Sequence, residues 1–219
     1  MKKVMLLGDS IRMGYDAYVR IAFDGIAHIY YPEENGRFAA YTLRNLTDWE
    51  RLLDEKRQIG RGVEVDLIHW NVGLWDCLTQ LDGEPLTDIA TYQHYLGRIH
   101  KVMSKLYPNA RQIFATSTAV IDKWFEGERF TRCNATVEKY NQAAVKVLAP
   151  LGVSFNDLYT LTREFPDSFH SDGTHFNTKS GQSALVKQVV ETLEKALGVK
   201  AKELDFDKLF TKETGIVGI

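Results

Sequence analysis

The stretch Val4–Tyr15, VMLLGDSIRMGY, sets the reading of the chain. Its apolar run follows Lys2 and Lys3 and stops at Gly8-Asp9-Ser10, a tripeptide of ordinary turn residues. A short apolar run without polar interruption fits a strand covered on both faces, as in a parallel sheet. Four further segments have strand character: Ala27–Tyr31, Val65–Val72, Gln112–Ser117 and Val153–Asn156. Amphipathic, helix-compatible stretches lie around Phe38–Lys56, Ile89–Leu106, Thr131–Leu148 and Thr178–Leu197. In the second of these, Tyr92, Tyr95, Leu96, Ile99, Val102, Met103 and Leu106 recur at helical spacing, as a core-facing stripe does. Strands alternating with helices predict right-handed crossovers and an α/β fold: a three-layer sandwich around a five-stranded parallel sheet. In such sheets ligands bind beyond the carboxyl ends of the strands, so Gly8-Asp9-Ser10 and Asn71-Val72-Gly73 should share one edge.

With 219 residues, 44% of them hydrophobic and 26% charged, the chain has the size and composition of one large folded domain. A formal net charge of −2 gives no global electrostatic reason to expect a nucleic-acid or anionic-membrane partner. No apolar run approaches the roughly 18 residues that span a bilayer, and the run after Lys3 is too short for a signal peptide. The chain as it stands is therefore expected in the cytoplasm; one trimmed of a leader would read the same. Cys77 and Cys133 are far apart in sequence and are expected as free thiols. We place the main domain at 1–199 and a C-terminal extension at 200–219. The apolar Leu204, Phe206, Leu209, Phe210, Ile216 and Val217 of the extension call for docking, either on the same domain or on a second subunit of a homo-oligomer.

Near the other end the chain reads FHSDGTHFNTKSG, Phe169–Gly181. Asp172 and His175 stand three apart before a helix, so a short turn lets the carboxylate orient one ring nitrogen while the other faces Ser10. Hydroxyl nucleophile, general base and orienting acid are the parts of nucleophilic acyl transfer. No Gly-x-Ser-x-Gly elbow surrounds Ser10, since Arg12 occupies its last position. His170, Asp172 and His175 lack further ligands to complete a metal site, and no metal is expected there.

These blocks resemble the SGNH, or GDSL-type, esterase and lipase family. GDS at Gly8–Ser10 is similar to its nucleophile block, DGTH at Asp172–His175 to its Asp-x-x-His block, and ENGRFAAYTLRNL to the block whose glycine gives an amide to the oxyanion. The resemblance runs from about Lys3 to Leu197, and it implies a flavodoxin-like three-layer fold and no metal or organic cofactor. It implies Ser10 as nucleophile, His175 as base and Asp172 as its partner, with the Ser10 and Gly36 amides in the oxyanion hole. The family's third block, Gly-x-Asn-Asp, is altered: NVGLWD, Asn71–Asp76, has Trp75 where that Asn stands. Asn71 is our replacement donor, and Trp75 and Asp76 are expected to meet the substrate. The variant form resembles that of carbohydrate esterases. It implies hydrolysis of small O-acyl esters, acetyl above all, on a carbohydrate or other small molecule. A lipase or thioesterase of the same family, and a glycan-binding module with a degenerate site, are the competing readings.

Overall fold

In a computed structural model, which describes residues 1–57 and 64–210, the five strand segments form one all-parallel sheet in the order β2-β1-β3-β4-β5. The strands are β1 (Lys2–Leu7), β2 (Ala27–Tyr30), β3 (Leu67–Trp70), β4 (Arg111–Ala115) and β5 (Ser154–Asn156). Val4 pairs with Ile29 on one side and with Leu67 on the other, so β1 lies inside the sheet. All of β3 and the last four residues of both β1 and β4 are buried, the reason these segments read as unbroken apolar runs. Gln112 and His69 are polar exceptions; His69 lies fully buried between the Tyr15 hydroxyl at 3.4 Å and the Asn156 amide at 3.0 Å. Burial pushes its pKa down to about 4, so it stays neutral as a core residue.

Helices α2 (Ala39–Arg57), α3 (Ile89–Leu106) and α4 (Asn134–Leu148) pack in succession, while α1 (Ser10–Ala22) and the short α5 (Leu158–Arg163) both pack with α6 (Lys179–Leu197). Strand order reverses at β1: the chain leaves β1 for edge strand β2, then returns past it to β3. The crevice at that reversal lies between the carboxyl ends of β1 and β3, which carry Gly8-Asp9-Ser10 and Asn71-Val72-Gly73.

Three local differences from the sequence reading bear on the site. Ser10 is the first residue of α1, a helix that the periodicity of the other segments did not reveal. Asp9 caps it by accepting the Ile11 N–H at 3.0 Å, and Ile11, Tyr15, Tyr18, Val19 and Ala22 form its buried stripe. Helix α4 starts at Asn134 rather than Thr131, because Thr131 forms an antiparallel bridge with Thr79. This leaves Thr131–Cys133 extended and frees Arg132 from a helix face. The third strand is shorter than Val65–Val72, which puts Asn71 and Gly73 in the loop beyond it.

Beyond Gly198 the chain returns along α1 and α6. Ala201 N–H donates to Glu194 at 2.8 Å and Lys202 N–H to the Ala22 carbonyl at 2.8 Å. A short α7 (Phe206–Leu209) follows, with the Phe206 ring stacked on Tyr18 at 5.2 Å. Residues 200–210 thus lie on their own domain; Ile216 and Val217 fall outside the described residues. Among the described residues no helix is long and apolar enough to cross a membrane.

Candidate active site

Ser10, His175 and Asp172 meet across 165 residues of sequence. Ser10 Oγ is 2.7 Å from His175 Nε2, and His175 Nδ1 is 2.8 Å from Asp172 Oδ2. The other carboxylate oxygen accepts the backbone N–H groups of Thr174 at 2.7 Å and His175 at 2.8 Å. Burial alone would raise Asp172, but the His175 ring and these two amides override it and hold the carboxyl well below the usual range. An ionised Asp172 only accepts, so Nδ1 carries the imidazole proton and Nε2 presents its lone pair to the Ser10 hydroxyl.

The loop that carries the acid and base is fixed at several points. Ser171 N–H donates to the His175 carbonyl at 2.8 Å, and the Thr178 hydroxyl donates to the Phe169 carbonyl at 2.7 Å while capping α6. Phe176 is buried beneath it against Phe165 and His170. On its outer side, Ile121 N–H donates to the Gly173 carbonyl at 2.9 Å. A Cβ on Gly173 would stand 2.9 Å from the Phe125 ring and 3.4 Å from Trp124 Cβ, so only glycine admits this packing.

Asn71 lies next to the Ser10 turn. Its Nδ2 donates to Asp9 Oδ1 at 2.9 Å, leaving a second amide hydrogen, and its Oδ1 is so close to Gly8 that a Cβ there would fall at 1.9 Å. Asp9 is buried, and that burial raises its pKa against the opposing hydrogen bonds from Asn71 and Ile11. Ser10 N–H, in the first turn of α1, has no acceptor within the helix and is open to a developing negative charge.

Two expected site residues hold different positions. Gly36 N–H donates to the Gly8 carbonyl at 2.9 Å, so this amide is occupied rather than turned to an oxyanion. A Cβ on Gly36 would stand 2.7 Å from that same carbonyl, so the glycine is required here for close packing of two loops. Asp76 is fully buried and does not meet substrate: both carboxylate oxygens accept the Ala39 N–H at 3.1 Å, at the start of α2. Burial lifts its pKa to about 6, with the Ala39 and Thr87 hydrogen bonds opposing. Trp75 is half-buried on the 74–77 turn.

Two arginines that the motifs do not mark organise the surroundings. Arg12 is fully buried, pairs with Asp16, and donates to the carbonyls of Pro32 at 2.8 Å and Glu34 at 2.6 Å, tying α1 to the loop that bears Gly36. Arg132 Nε donates to the Leu74 carbonyl at 2.6 Å, and its Nη1 lies 3.4 Å from the Thr174 hydroxyl. Neither role could be read from spacing, because each joins loops far apart in sequence. Among the described residues no group of three or more His, Cys, Asp or Glu is placed to hold a metal ion.

No family model and no curated protein matches the chain. Solved structures do, over most of its length. A lipase/acylhydrolase from Enterococcus faecalis is 21% identical with a TM-score of 0.63, over 93% of this chain and 100% of that one. A member of the lipolytic protein G-D-S-L family from Veillonella parvula is 19% identical with a TM-score of 0.63, over 89% and 100%. This is the SGNH hydrolase fold. An acetyl xylan esterase shares it at 15% identity and a TM-score of 0.65, over 87% of this chain and 99% of its own. In this SGNH fold the crevice between β1 and β3 is where Ser10 and Asn71 stand.

Proposed function

We propose that the protein is a cofactor-independent serine esterase that removes small O-acyl groups, acetyl above all, from a carbohydrate. The observation that carries this is the unbroken hydrogen-bonded chain from Ser10 Oγ through His175 to Asp172. Ser10 Oγ attacks the ester carbonyl carbon while His175 Nε2 takes its proton, giving a tetrahedral oxyanion and an imidazolium that Asp172 stabilises. Ser10 N–H and the second hydrogen of Asn71 Nδ2 are the nearest candidates to receive the oxyanion. The C–O bond then breaks, the alcohol leaves with the proton from His175, and water hydrolyses the acyl-Ser10 by the same route. The half-exposed Trp124 beside the triad loop supports a sugar substrate, as does the fold shared with an acetyl xylan esterase.

The occupied Gly36 amide favours the alternative, a glycan-binding module that no longer turns over. Hydrolysis of 4-nitrophenyl acetate separates the two. The wild-type protein is expected to hydrolyse it, and Ser10→Ala to lower kcat/KM at least about 10³-fold. Equal rates for the two proteins would remove Ser10 as nucleophile.

A further inference from the structure

Arg132 is a cation beside the Asp172–His175 loop that makes no direct ion pair among the described residues. Its segment, Thr131–Cys133, is held extended by the Thr79–Thr131 bridge, and two hydrogen bonds fix the guanidinium between the Leu74 carbonyl and the Thr174 hydroxyl. Both partners are neutral. Among the described residues no carboxylate lies within ion-pair distance of it. Asp9 and Asp172 favour its charge only from beyond ion-pair distance, their own hydrogen bonds running to Asn71 and Ile11 and to His175 and its loop amides. Burial disfavours its charge, and a strut between a carbonyl and a hydroxyl needs none. Five N–H groups in a planar fork, two of them used, leave donors suited to bidentate grip of a carboxylate. Trp124 lies beside the same short loop, its Cβ 3.4 Å from where a Cβ on Gly173 would stand, and leaves 43% of its surface exposed.

We propose that the esterified alcohol is a carboxylate-bearing saccharide, its carboxylate gripped by Arg132 and its ring laid against Trp124. This rests on the esterase reading above and adds the substrate class to it. A guanidinium that close to the base recognises an acidic group on the sugar that carries the ester, and discriminates against the neutral sugar of the same shape. Binding energy is gained because the anion supplies the direct ion pair that this part-buried guanidinium lacks.

The test is a matched pair, the mono-O-acetylated methyl glucuronide and methyl glucoside, with acetate release measured beside 4-nitrophenyl acetate hydrolysis. Wild-type protein is expected to favour the glucuronide in kcat/KM by about tenfold or more, a preference that falls with added salt. Arg132→Met should lower kcat/KM on the glucuronide about tenfold more than on the glucoside, mainly through KM, and Arg132→Lys should restore part of the difference. Trp124→Ala should raise KM for both sugars. No wild-type preference between the sugars overturns the proposal, and needs no variant to be folded. So does an Arg132→Met effect equal on all substrates, which is how a structural strut behaves. Inactivity of the wild type on 4-nitrophenyl acetate would instead remove the esterase reading itself.

Discussion

Asn71 and Asp9 form a small unit beside Ser10 whose chemistry depends on single atoms. The Asp9 carboxylate accepts from Asn71 Nδ2 and from Ile11 N–H through one oxygen, fixing both the side-chain amide and the start of the helix that bears Ser10. Trp75 stands where the resemblance places the third donor, but its half-buried indole offers only one N–H on a bulky ring. Asn71→Ala is therefore expected to lower kcat on 4-nitrophenyl acetate by about 10²–10³-fold, and Trp75→Phe by much less. Steady-state kinetics on the two variants decide it, with the larger loss on Trp75→Phe assigning the donor to the indole instead. The residue types of this site were legible in sequence because acyl transfer needs a nucleophile, a base and an acid in combination. The use of Gly36 was not, since an amide shows its acceptor only once two loops are placed together.

Between elements, buried charges fix how the loops meet. Asp76 binds the start of α2 to the turn after β3, and Arg12 binds α1 to the loop after β2, so both loops that approach Ser10 are held by an ionisable side chain. The pKa of Asp76, raised to about 6 by burial, makes one of these ties pH-dependent. Between the ordinary carboxylate value and that raised value, the native state holds a proton that the unfolded chain releases. Stability therefore falls as pH rises through about 4 to 6, by up to about 1.4 kcal/mol per unit from this group. Asp9 and Asp16 are shifted in the same direction and add to the slope. Asp76→Asn should flatten the pH dependence of the unfolding free energy in that window by about 2–3 kcal/mol, read by urea titration at each pH. An unchanged slope would show that Asp76 does not carry the linkage. The sequence marked Asp76 as a substrate contact because it ends the altered third block. Its actual partner, the Ala39 N–H at the start of α2, lies 37 residues away.

At the scale of the whole molecule, the segment after Gly198 completes the face formed by α1 and α6. Lys202 N–H takes the free carbonyl at the end of α1, Lys179 pairs with Asp207, and Phe206 stacks on Tyr18. None of these contacts reaches the triad. Phe206→Ala is expected to lower stability by about 1–2 kcal/mol, a melting-temperature drop of about 2–8 °C for a chain of this size, with kcat/KM unchanged. A melting curve that matches the wild type would mean that this docking contributes nothing to the domain.

Taken alone, the sequence determined the alternation of strands and helices and the parallel sheet, and it singled out Ser10, Asp172 and His175 as candidates, because hydrophobic period and reactive residue types are local properties of a chain. It missed α1, whose cap and stripe were hidden by reading Gly8-Asp9-Ser10 as a turn alone. Only the tertiary structure decided that the Ser10 hydroxyl meets the His175 ring, that the Gly36 amide is occupied, that Asp76 is a buried tie, and that Arg132 bridges the Leu74 carbonyl and the Thr174 hydroxyl. Those are facts of desolvation and of contact between distant segments, and neither is encoded in the spacing of residues along the chain.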